Sequence, residues 1–377
     1  MKSPVCEMLG IEFPLFAFSH CRDVVAAVSR AGGFGVLGAT GHNPQSIHTE
    51  LKWIDEHVGG KPYGIDILVP ENMATAGERG VTYNSLRHRV PDEHRQFARD
   101  LLAGAGIELQ EVAVSDDRPQ PFDPETALRT LEAAFEHPIK LIANALGVPP
   151  PEMIEMGKAH GVPVAALVGA KEHALRQVGA GVDILVVQGT EAGGHCGEVT
   201  TMVLVPEVLK AIKPIRDVPV LAAGGIMNGR QMAACMAMGA AGVWTGSVWL
   251  ATTESETSEI FREKMIEASS RDAVRVRTRT GKPARQLRSA WTEAWDRSPD
   301  SPGPLPMPLM TLVSENALRS VNRAAEGGNE KARDMVTYFV GQGVGLVDRV
   351  QSAGQVVQTF KEEFLQAVEH MNELLDD

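Results

Sequence analysis

A histidine lies in a glycine-rich loop that directly follows a buried apolar strand. The predicted strand Asp183–Gln188 continues into the residues GTEAGGHCG. Gly193 and Gly194 would let the backbone pass close to a planar ring, because glycine has no side chain to obstruct such an approach. His195 would then project beside that ring, and the near-neutral pKa of a histidine suits proton transfer. We therefore take His195 as the candidate catalytic residue.

Other side chains near this loop are open to more than one interpretation. Glu191 could accept hydrogen bonds from the loop backbone or lie on the surface. Cys196 could be a nucleophile, but only His195 nearby could lower the pKa of its thiol, so we interpret it as a bystander. His20, after the first strand, could face a substrate or have a capping or core role.

Glycines also end the last two predicted strands. Gly224 and Gly225 follow one strand, and Gly246 and Ser247 end the next. Backbone N–H groups at such turns, with a helix N-terminus behind them, can bind phosphate oxygens. Either turn alone could be a tight connection without a ligand, but both together favour a phosphate-bearing cofactor. The chain has no P-loop motif, no Rossmann GxGxxG after a strand and no HExxH motif, and we expect no metal.

A basic stretch, Arg271–Arg288, holds seven basic residues and one acidic residue. It could bind substrate phosphates, such as those of a coenzyme A thioester. A solvated face of an otherwise acidic protein is the more common explanation for such a stretch.

The elements that would position these residues follow a repeating pattern of a short apolar run and a helix. Continuous apolar runs indicate strands that are buried on both faces, as in a parallel sheet. Eight such units predict an α/β fold, a (β/α)8 TIM-type barrel, in preference to a doubly wound sheet. The predicted strands are Pro14–Ser19, Phe34–Ala39, Tyr63–Val69, Lys140–Leu146, Pro163–Val168, Asp183–Gln188, Pro219–Ala223 and Gly242–Ser247.

Two stretches interrupt the alternation. Residues 70–124 are polar and predict an insertion after strand 3, part of it a helix over Asp92–Gly104, which would form a lid or a side lobe. From residue 253 the pattern is helical and polar. We therefore predict a barrel over residues 1–252, which carries the insertion, and a mainly helical second domain or closing segment over residues 253–377.

Composition and charge limit the partners. The formal net charge is −12, whereas proteins that bind the phosphate backbone of nucleic acids carry a basic excess. No apolar run is long enough to span a bilayer, and the four cysteines are scattered without CxxC spacing. We expect a cytoplasmic protein with a small-molecule substrate, without nucleic-acid or membrane partners, and with a homodimer as the candidate oligomeric state.

Several segments resemble the nitronate monooxygenase family, once called 2-nitropropane dioxygenases. They are GGFGVLGA, QGTEAGGHCG, AAGGIMNGRQMAACMAMGAAGVWTGSVWLAT and GKPARQLRS. The resemblance runs from about Met8 to Arg288 and continues more loosely through GQGVGLVDRV. Flavin-dependent enoyl thioester reductases share the same signature, so these motifs identify the superfamily without separating its members.

The resemblance implies a non-covalent FMN and assigns roles by motif. The FMN phosphate would be bound by Gly224, Gly225, Gly246 and Ser247. The flavin would be lined by Gln188, Gly193 and Gly194. His195 would be the catalytic histidine, which in the monooxygenases takes the proton from the carbon that bears the nitro group. In the reductases, a nicotinamide reduces the flavin and the histidine assists the proton step.

The sequence departs from the monooxygenase pattern at two positions that border the flavin. The first strand of family members ends in a QAPM-like stretch, where this chain has Ala17 and Phe18 within FAFS. The third strand commonly ends in an asparagine that contacts the flavin, and the matching residue here is Asp66. We expect Ala17, Phe18 and Asp66 to contact the cofactor.

These observations predict an FMN-dependent oxidoreductase that oxidises alkyl nitronates or nitroalkanes with oxygen. The alternative is an NAD(P)H-dependent flavin reductase of an enoyl-CoA or enoyl-ACP thioester or of a quinone, which the basic stretch and the altered flavin border favour. A third interpretation, a flavin- or phosphate-binding barrel without turnover, is opposed by the glycine context of His195.

Overall fold

Eight parallel strands form a closed barrel in the computed structural model, which describes residues 1–68, 86–109 and 124–375. The barrel order is β1-β2-β3-β4-β5-β6-β8-β9, and β7, β10 and β11 form a separate small sheet. The predicted barrel is confirmed, with small shifts at the ends of the strands. The strands are β1 Leu15–Ser19, β2 Phe34–Gly38, β3 Tyr63–Ile67, β4 Leu141–Asn144, β5 Val164–Val168, β6 Ile184–Gln188, β7 Gly194–His195, β8 Val220–Ala223, β9 Gly242–Thr245, β10 Ala273–Val276 and β11 Ala284–Leu287.

Helices alternate with the barrel strands and continue beyond them. The first nine are α1 Pro4–Leu9, α2 Arg22–Arg30, α3 Pro44–His57, α4 Asp92–Gly104, α5 Pro124–Phe135, α6 Pro151–His160, α7 Lys171–Ala180, α8 Thr201–Ile212 and α9 Gly229–Ala237. The later ones are α10 Glu259–Glu267, α11 Ala290–Arg297, α12 Leu309–Glu326, α13 Glu330–Met335 and α14 Ala353–Glu373. None of the helices within the described ranges is both long and apolar enough to cross a lipid bilayer.

Alternating side chains of the strands fill two apolar layers, because successive residues of a strand point to opposite faces. One layer fills the barrel interior and includes Phe16, Phe34 and Trp244. The other lies between the strands and the surrounding helices and includes Leu15, Leu37 and many other residues. Burial on both faces explains why the strands have continuous apolar sequences.

The first helix closes the amino-terminal end of the barrel. Val5, Cys6 and Leu9 belong to the same apolar cluster as the barrel interior. The Ser3 hydroxyl donates a hydrogen bond to the carbonyl of Ala241, at the start of β9. The opposite end of the barrel, where the strands finish, is therefore the end that remains available for a site.

The last helix packs on the barrel. Phe360 and Phe364 of α14 lie in the cluster between strands and helices. A Cβ atom added at Gly229, the first residue of α9, would lie 2.1 Å from the carbonyl oxygen of Phe360 and 2.4 Å from the nitrogen of Phe364. Helix α14 thus occupies the place of a barrel helix although it lies far from β9 in sequence. The division of the chain at residue 252 stays a prediction.

A second apolar cluster joins the insertion to the segment after the barrel. It contains Ala98 and Leu102 from α4 together with Trp291, Trp295 and Val313 from the later helices. The predicted helix Asp92–Gly104 is confirmed, and its apolar face belongs to this side lobe. The remaining parts of the predicted insertion, 70–85 and 110–123, lie outside the described residues.

The bounds of two helices affect the end of the barrel where the strands finish. Helix α8 starts at Thr201, because the Glu191 carboxylate binds the N–H of Thr201 and caps it there. Helix α13 ends at Met335, and the chain then continues in a largely extended form.

Candidate active site

His195 lies at the carboxyl end of the barrel. It is on strand β7, which pairs with a strand of the segment that follows the barrel in sequence. Strand β7 pairs antiparallel with β11, and His195 is opposite Ala284. The Nε2 atom of His195 is 2.7 Å from the Thr280 hydroxyl. The ring of Phe339 is also close, with its centroid 6.0 Å from that of His195. These contacts hold the imidazole in one orientation in either tautomer.

The surroundings of His195 keep its ring neutral. Burial is the larger effect and the positive charge of Lys282 the smaller one, and together they lower the pKa of His195 to about 4. Both effects disfavour the charged form of an imidazole. At neutral pH the ring can therefore accept a proton, as a general base must.

The loop between β6 and β7 is fixed by Glu191. Its carboxylate accepts hydrogen bonds from the N–H of Thr201 at 2.9 Å and from the Thr201 hydroxyl at 3.0 Å. A carboxylate at the start of a helix satisfies free N–H groups and interacts favourably with the helix dipole. Of the two roles left open by the sequence, the backbone role is the one observed.

Cys196 lies on the other side of the His195 backbone. Burial raises the pKa of its thiol above the ordinary value, although the neighbouring Arg285 and Arg275 act in the opposite direction. A thiol with a raised pKa is a poor nucleophile at neutral pH. This agrees with the interpretation of Cys196 as a bystander.

A carboxyl-terminal segment around Gly341 forms part of the site. A Cβ atom at Gly193 would lie 2.8 Å from the backbone nitrogen of Gly341, so glycine is required there by a contact with protein. The N–H of Gly341 donates to the Ser247 hydroxyl at 2.8 Å. The N–H of Gln342 donates to the carbonyl of Glu191 at 2.8 Å. The segment therefore ties the loop after β6 to the turn after β9.

Glycine at position 193 was predicted to let the backbone approach a planar ring, which stays a prediction, and the structure adds the contact with Gly341 as a second reason for glycine there. Gly194 has a φ of +73°, which a residue with a side chain rarely adopts, and a Cβ atom there would meet no atom within 4 Å. Of this pair, Gly194 is the one that faces open space.

The two predicted phosphate turns lie at the same end of the barrel. Gly224 and Gly225 have positive φ values of 108° and 73° and are followed by the N-terminus of α9. Gly246 has a negative φ, and a Cβ atom there would meet nothing within 4 Å. No contact with the described protein requires glycine at 246, so the open space beside it is suited to an approaching ligand. Ser247 follows with its hydroxyl beside the turn.

Asp66 is a buried carboxyl group without a hydrogen-bond partner in the described part of the chain. It is 2% exposed, and neither of its oxygens has a partner. Ile65 and Ile67 belong to the layer outside the barrel, so Asp66 between them faces the interior. Burial raises its pKa well above the usual range. An orphaned buried polar group of this kind is costly unless a ligand completes its hydrogen bonds.

Gln188 and Phe18 reach the same end of the barrel from other strands. Gln188 is the half-buried last residue of β6. Phe18 stacks on Trp244, with ring centroids 6.2 Å apart, and packs edge-on against His20. The Nδ1 atom of His20 lies 2.8 Å from the carbonyl of Gly38.

Ala17 differs from the other predicted site residues. Its side chain belongs to the apolar layer between the strands and the outer helices. Only its backbone could line a ligand inside the barrel mouth. The structure therefore brings together the other ten predicted residues and leaves the Ala17 side chain apart.

Arg279 in the basic stretch is internal. Its guanidinium lies 3.2 Å from the Glu315 carboxylate and 3.3 Å from the carbonyl oxygen of Thr337. It also lies over the rings of Tyr338 and Phe339. Neither of the interpretations offered for the stretch, phosphate binding or a solvated face, describes this residue.

Two more arginines of the stretch have partners within the protein. The Arg285 guanidinium donates to the carbonyls of Thr190 at 2.8 Å and Ala273 at 2.6 Å. Arg288 forms an ion pair with Glu293 at 2.7 Å. These arginines stabilise the hairpin that carries Thr280 beside His195.

Thr280, Lys282 and Gly341 are site residues that the sequence did not reveal. Each lies far from His195 along the chain, and no local spacing links them to it. The only signal was the presence of GKPARQLRS and GQGVGLVDRV among the matching segments. Their role follows from the pairing of β7 with β11.

Comparison with known proteins places the whole chain in one family. The nitronate monooxygenase family model matches residues 2–363. A Mycobacterium tuberculosis protein, Rv1533, provisionally named a monooxygenase, is 53% identical over 382 residues, with 100% of each chain covered. A Staphylococcus saprophyticus protein named as a probable nitronate monooxygenase is 27% identical, with 99% of each chain covered.

Solved structures give the same fold. FabK from Thermotoga maritima has a TM-score of 0.71 at 26% identity and covers 99% of each chain. A nitroalkane oxidase from Streptomyces ansochromogenes has a TM-score of 0.79 at 23% identity and covers 97% of this chain and 99% of that one, which supports the fold alone. With a family model that spans nearly its full length, this chain belongs to the nitronate monooxygenase family of flavin-dependent oxidoreductases and is an enzyme.

Proposed function

We propose that this enzyme is an FMN-dependent nitronate monooxygenase that oxidises alkyl nitronates and nitroalkanes with molecular oxygen. The observation that carries the proposal is His195, a neutral imidazole held by Thr280 at the open end of the barrel. A base of this kind can take the acidic proton from a carbon that bears a nitro group. Membership of the nitronate monooxygenase family supports the same reaction.

The residues around the barrel mouth fit FMN. The open space at Gly246 and the positive-φ turn at Gly224 and Gly225 suit a phosphate group. Ser247 keeps its hydroxyl proton for a phosphate oxygen while its oxygen accepts from Gly341. Asp66 has two unpartnered oxygens that could accept from a ring N–H.

FMN, when bound, would supply the electron-accepting chemistry and the reaction with oxygen. The protein residues would do the remaining work. Gln188 and Gly194 would line the ring, and Phe18 with Trp244 would form an apolar wall beside it. His195 would remove and hold the substrate proton, and Thr280 would keep the imidazole in position.

The cofactor assignment is tested by placing charge at the open turn. Gly246→Asp should abolish or strongly weaken FMN binding, because a carboxylate would repel a phosphate. Gly246→Ala should weaken it less. Gly179→Asp, on the exposed part of α7, is the matched control and should bind FMN normally. A normally flavinated Gly246→Asp protein would refute the phosphate turn.

A second candidate is an NAD(P)H-dependent reductase of an enoyl thioester or a quinone. The likeness to FabK, at 26% identity over 99% of the chain, favours it. The same barrel mouth could hold either substrate, so the two reactions must be separated by experiment.

An anaerobic absorbance titration separates the candidates. The purified flavoprotein would be titrated with NADH, with NADPH and with ethyl nitronate. Bleaching of the flavin by the nitronate alone is the expected result. Bleaching by a nicotinamide alone would reject the monooxygenase in favour of the reductase, and a colourless protein that takes up no FMN would reject both.

A further inference from the structure

Arg279 adjoins the residue that contacts the active-site histidine. Its neighbour in the chain is Thr280, whose hydroxyl lies 2.7 Å from the imidazole of His195. Arg279 is only 9% exposed, and its backbone carbonyl accepts a hydrogen bond from the Ser314 hydroxyl at 2.6 Å. The turn that presents Thr280 to His195 is therefore fixed to helix α12 through the backbone of Arg279.

The side chain of Arg279 also contacts the segment that carries Phe339. Its guanidinium donates to the carbonyl of Thr337 at 3.3 Å, and the central carbon of this group lies 5.2 Å from the centre of the Phe339 ring. The Phe339 ring is itself a neighbour of His195, with centroids 6.0 Å apart. One arginine therefore links the two groups that lie beside the imidazole, the Thr280 hydroxyl and the Phe339 ring.

Glu315 holds the guanidinium in this place. Its carboxylate lies 3.2 Å from Arg279, and it belongs to the same helix as Ser314. A guanidinium is flat and has donors in fixed directions, so it can bind a carboxylate and a carbonyl while it lies over an aromatic ring. A lysine ammonium is a compact point charge and cannot make all of these contacts together. The arrangement thus depends on arginine and not on a positive charge alone.

The electric field of Arg279 does not explain its position beside the site. Among the residues that the structure describes, Lys282 supplies the charge that helps burial to lower the pKa of His195. The charge of Arg279 is paired with that of Glu315, which offsets its field at the imidazole. The connection between Arg279 and His195 is therefore one of contacts.

We propose that Arg279 is a positioning residue for His195, which holds the Thr280 turn and the Phe339 ring against the imidazole and so fixes the direction in which the imidazole accepts a proton. A general base must lie within hydrogen-bonding reach of the proton that it removes, and a displacement of about 1 Å can cost about 100-fold in rate. The inference rests on the proposed function, because it assigns proton removal to His195.

Arg279→Lys tests the inference in the FMN-loaded enzyme with the positive charge retained. With nitroethane, kcat should fall by about 10-fold or more, because the imidazole loses its fixed direction. Preformed ethyl nitronate, which has already lost the proton, should be oxidised nearly as fast as by the wild type. The affinity for FMN should stay close to that of the wild type, because Arg279 contacts the hairpin and the Phe339 segment and not the predicted phosphate turns.

Arg333→Lys is the matched control. It makes the same change in an ion pair of helix α13, where Arg333 lies 2.7 Å from the Glu263 carboxylate. This variant should oxidise nitroethane at the rate of the wild type. An equal loss of nitroethane activity in Arg279→Lys and Arg333→Lys would overturn the proposal, because the effect would then follow from the loss of any ion pair in this lobe.

Two changes at Glu315 separate position from stability. Glu315→Gln keeps an oxygen that can accept from the guanidinium, and it should retain most of the nitroethane activity. Glu315→Ala removes that acceptor and should reproduce the loss in Arg279→Lys, and thermal unfolding of each variant measures stability beside the rate. Equal activity of the two Glu315 variants, or a loss of activity that follows the loss of stability across all variants, would overturn the proposal.

Titration of His195 by nuclear magnetic resonance needs no turnover and keeps this inference separate from the reaction. Looser packing of Thr280 and Phe339 admits water to the imidazole, so Arg279→Lys should raise the pKa of His195 from about 4 toward the ordinary value of about 6.5. An unchanged pKa of His195 in this variant would overturn the proposal. A raised pKa in an enzyme that oxidises no nitroalkane would reject the proposed reaction and retain the positioning role.

Discussion

His195 should act as a base at pH values where an ordinary histidine is charged. Its pKa is lowered to about 4 by burial and by Lys282. At pH 5 a histidine with a pKa of about 6.5 is only about 3% neutral, whereas one with a pKa of about 4 is about 90% neutral. At pH 5 the neutral fraction of His195, which is the form that can accept a proton, is therefore about 30-fold larger than that of an unperturbed histidine.

The assay follows oxygen consumption with nitroethane, added as the neutral nitroalkane, over pH 4.5 to 7.5. We expect kcat/KM to stay nearly flat down to about pH 5 and to fall only near pH 4. His195→Asn should lower kcat/KM for nitroethane by about 100-fold or more. At pH 7.5 the same variant should retain much more activity on preformed ethyl nitronate, which has already lost the proton.

Nuclear magnetic resonance of histidine-labelled protein measures the pKa of His195 independently of the kinetics. The protein has 11 histidines, and His195→Asn identifies the signal of interest. A His195 signal that titrates near pH 6.5, or an acidic limb of kcat/KM at that pH, would refute the reasoning. An unchanged rate on nitroethane in His195→Asn would remove the residue from the mechanism.

Three further outcomes are expected. Asp66→Asn should raise the thermal stability of the protein, and the increase should be larger at pH 8 than at pH 5. The reason is that burial raises the pKa of the Asp66 carboxyl, so deprotonation of this group disfavours folding more strongly as the pH rises. Arg279→Ala should lower the free energy of unfolding in denaturant titrations by about 3 kcal/mol through loss of a largely buried ion pair, whereas Arg277→Ala should change it by less than about 1 kcal/mol. Gly229→Ala should destabilise the protein by about 1–3 kcal/mol because its methyl group would meet the last helix, whereas Gly179→Ala in an exposed helical turn should stabilise the protein slightly. Thermal unfolding of both variants checks this, and equal effects would contradict the packing of the last helix.

The barrel could be predicted because its signal is local and repeated. Most barrel strands are continuous apolar runs followed by a helix, and several of these helices end at a glycine, as Lys171–Ala180 does before β6. The place of α14 could not be predicted in the same way. An amphipathic helix has an apolar face but does not encode its partner, and only the fold brings Phe360 against Gly229.

The candidate site was predictable where it is built from strand ends. Gly224 and Gly246 stand directly after barrel strands, His195 lies in the segment that follows β6, and a parallel barrel brings the segments after its strands together. Thr280 and Lys282 reach the site through a small antiparallel sheet formed between distant segments, for which the sequence has no periodic signal. The contact that requires glycine at 193 could not be predicted, because the neighbour involved, Gly341, is distant in sequence.

The segment around Gly341 also sets an order of events during synthesis. It connects the loops after β6 and β9. Helix α14, which packs on the barrel, comes after it in the chain. A ribosome releases the chain from its amino terminus, so all eight barrel strands emerge before these last contacts can form. A nascent chain stalled before Gly341 would therefore present an unfinished barrel, and a cofactor that depends on these turns could enter only after translation has passed the carboxyl-terminal segment.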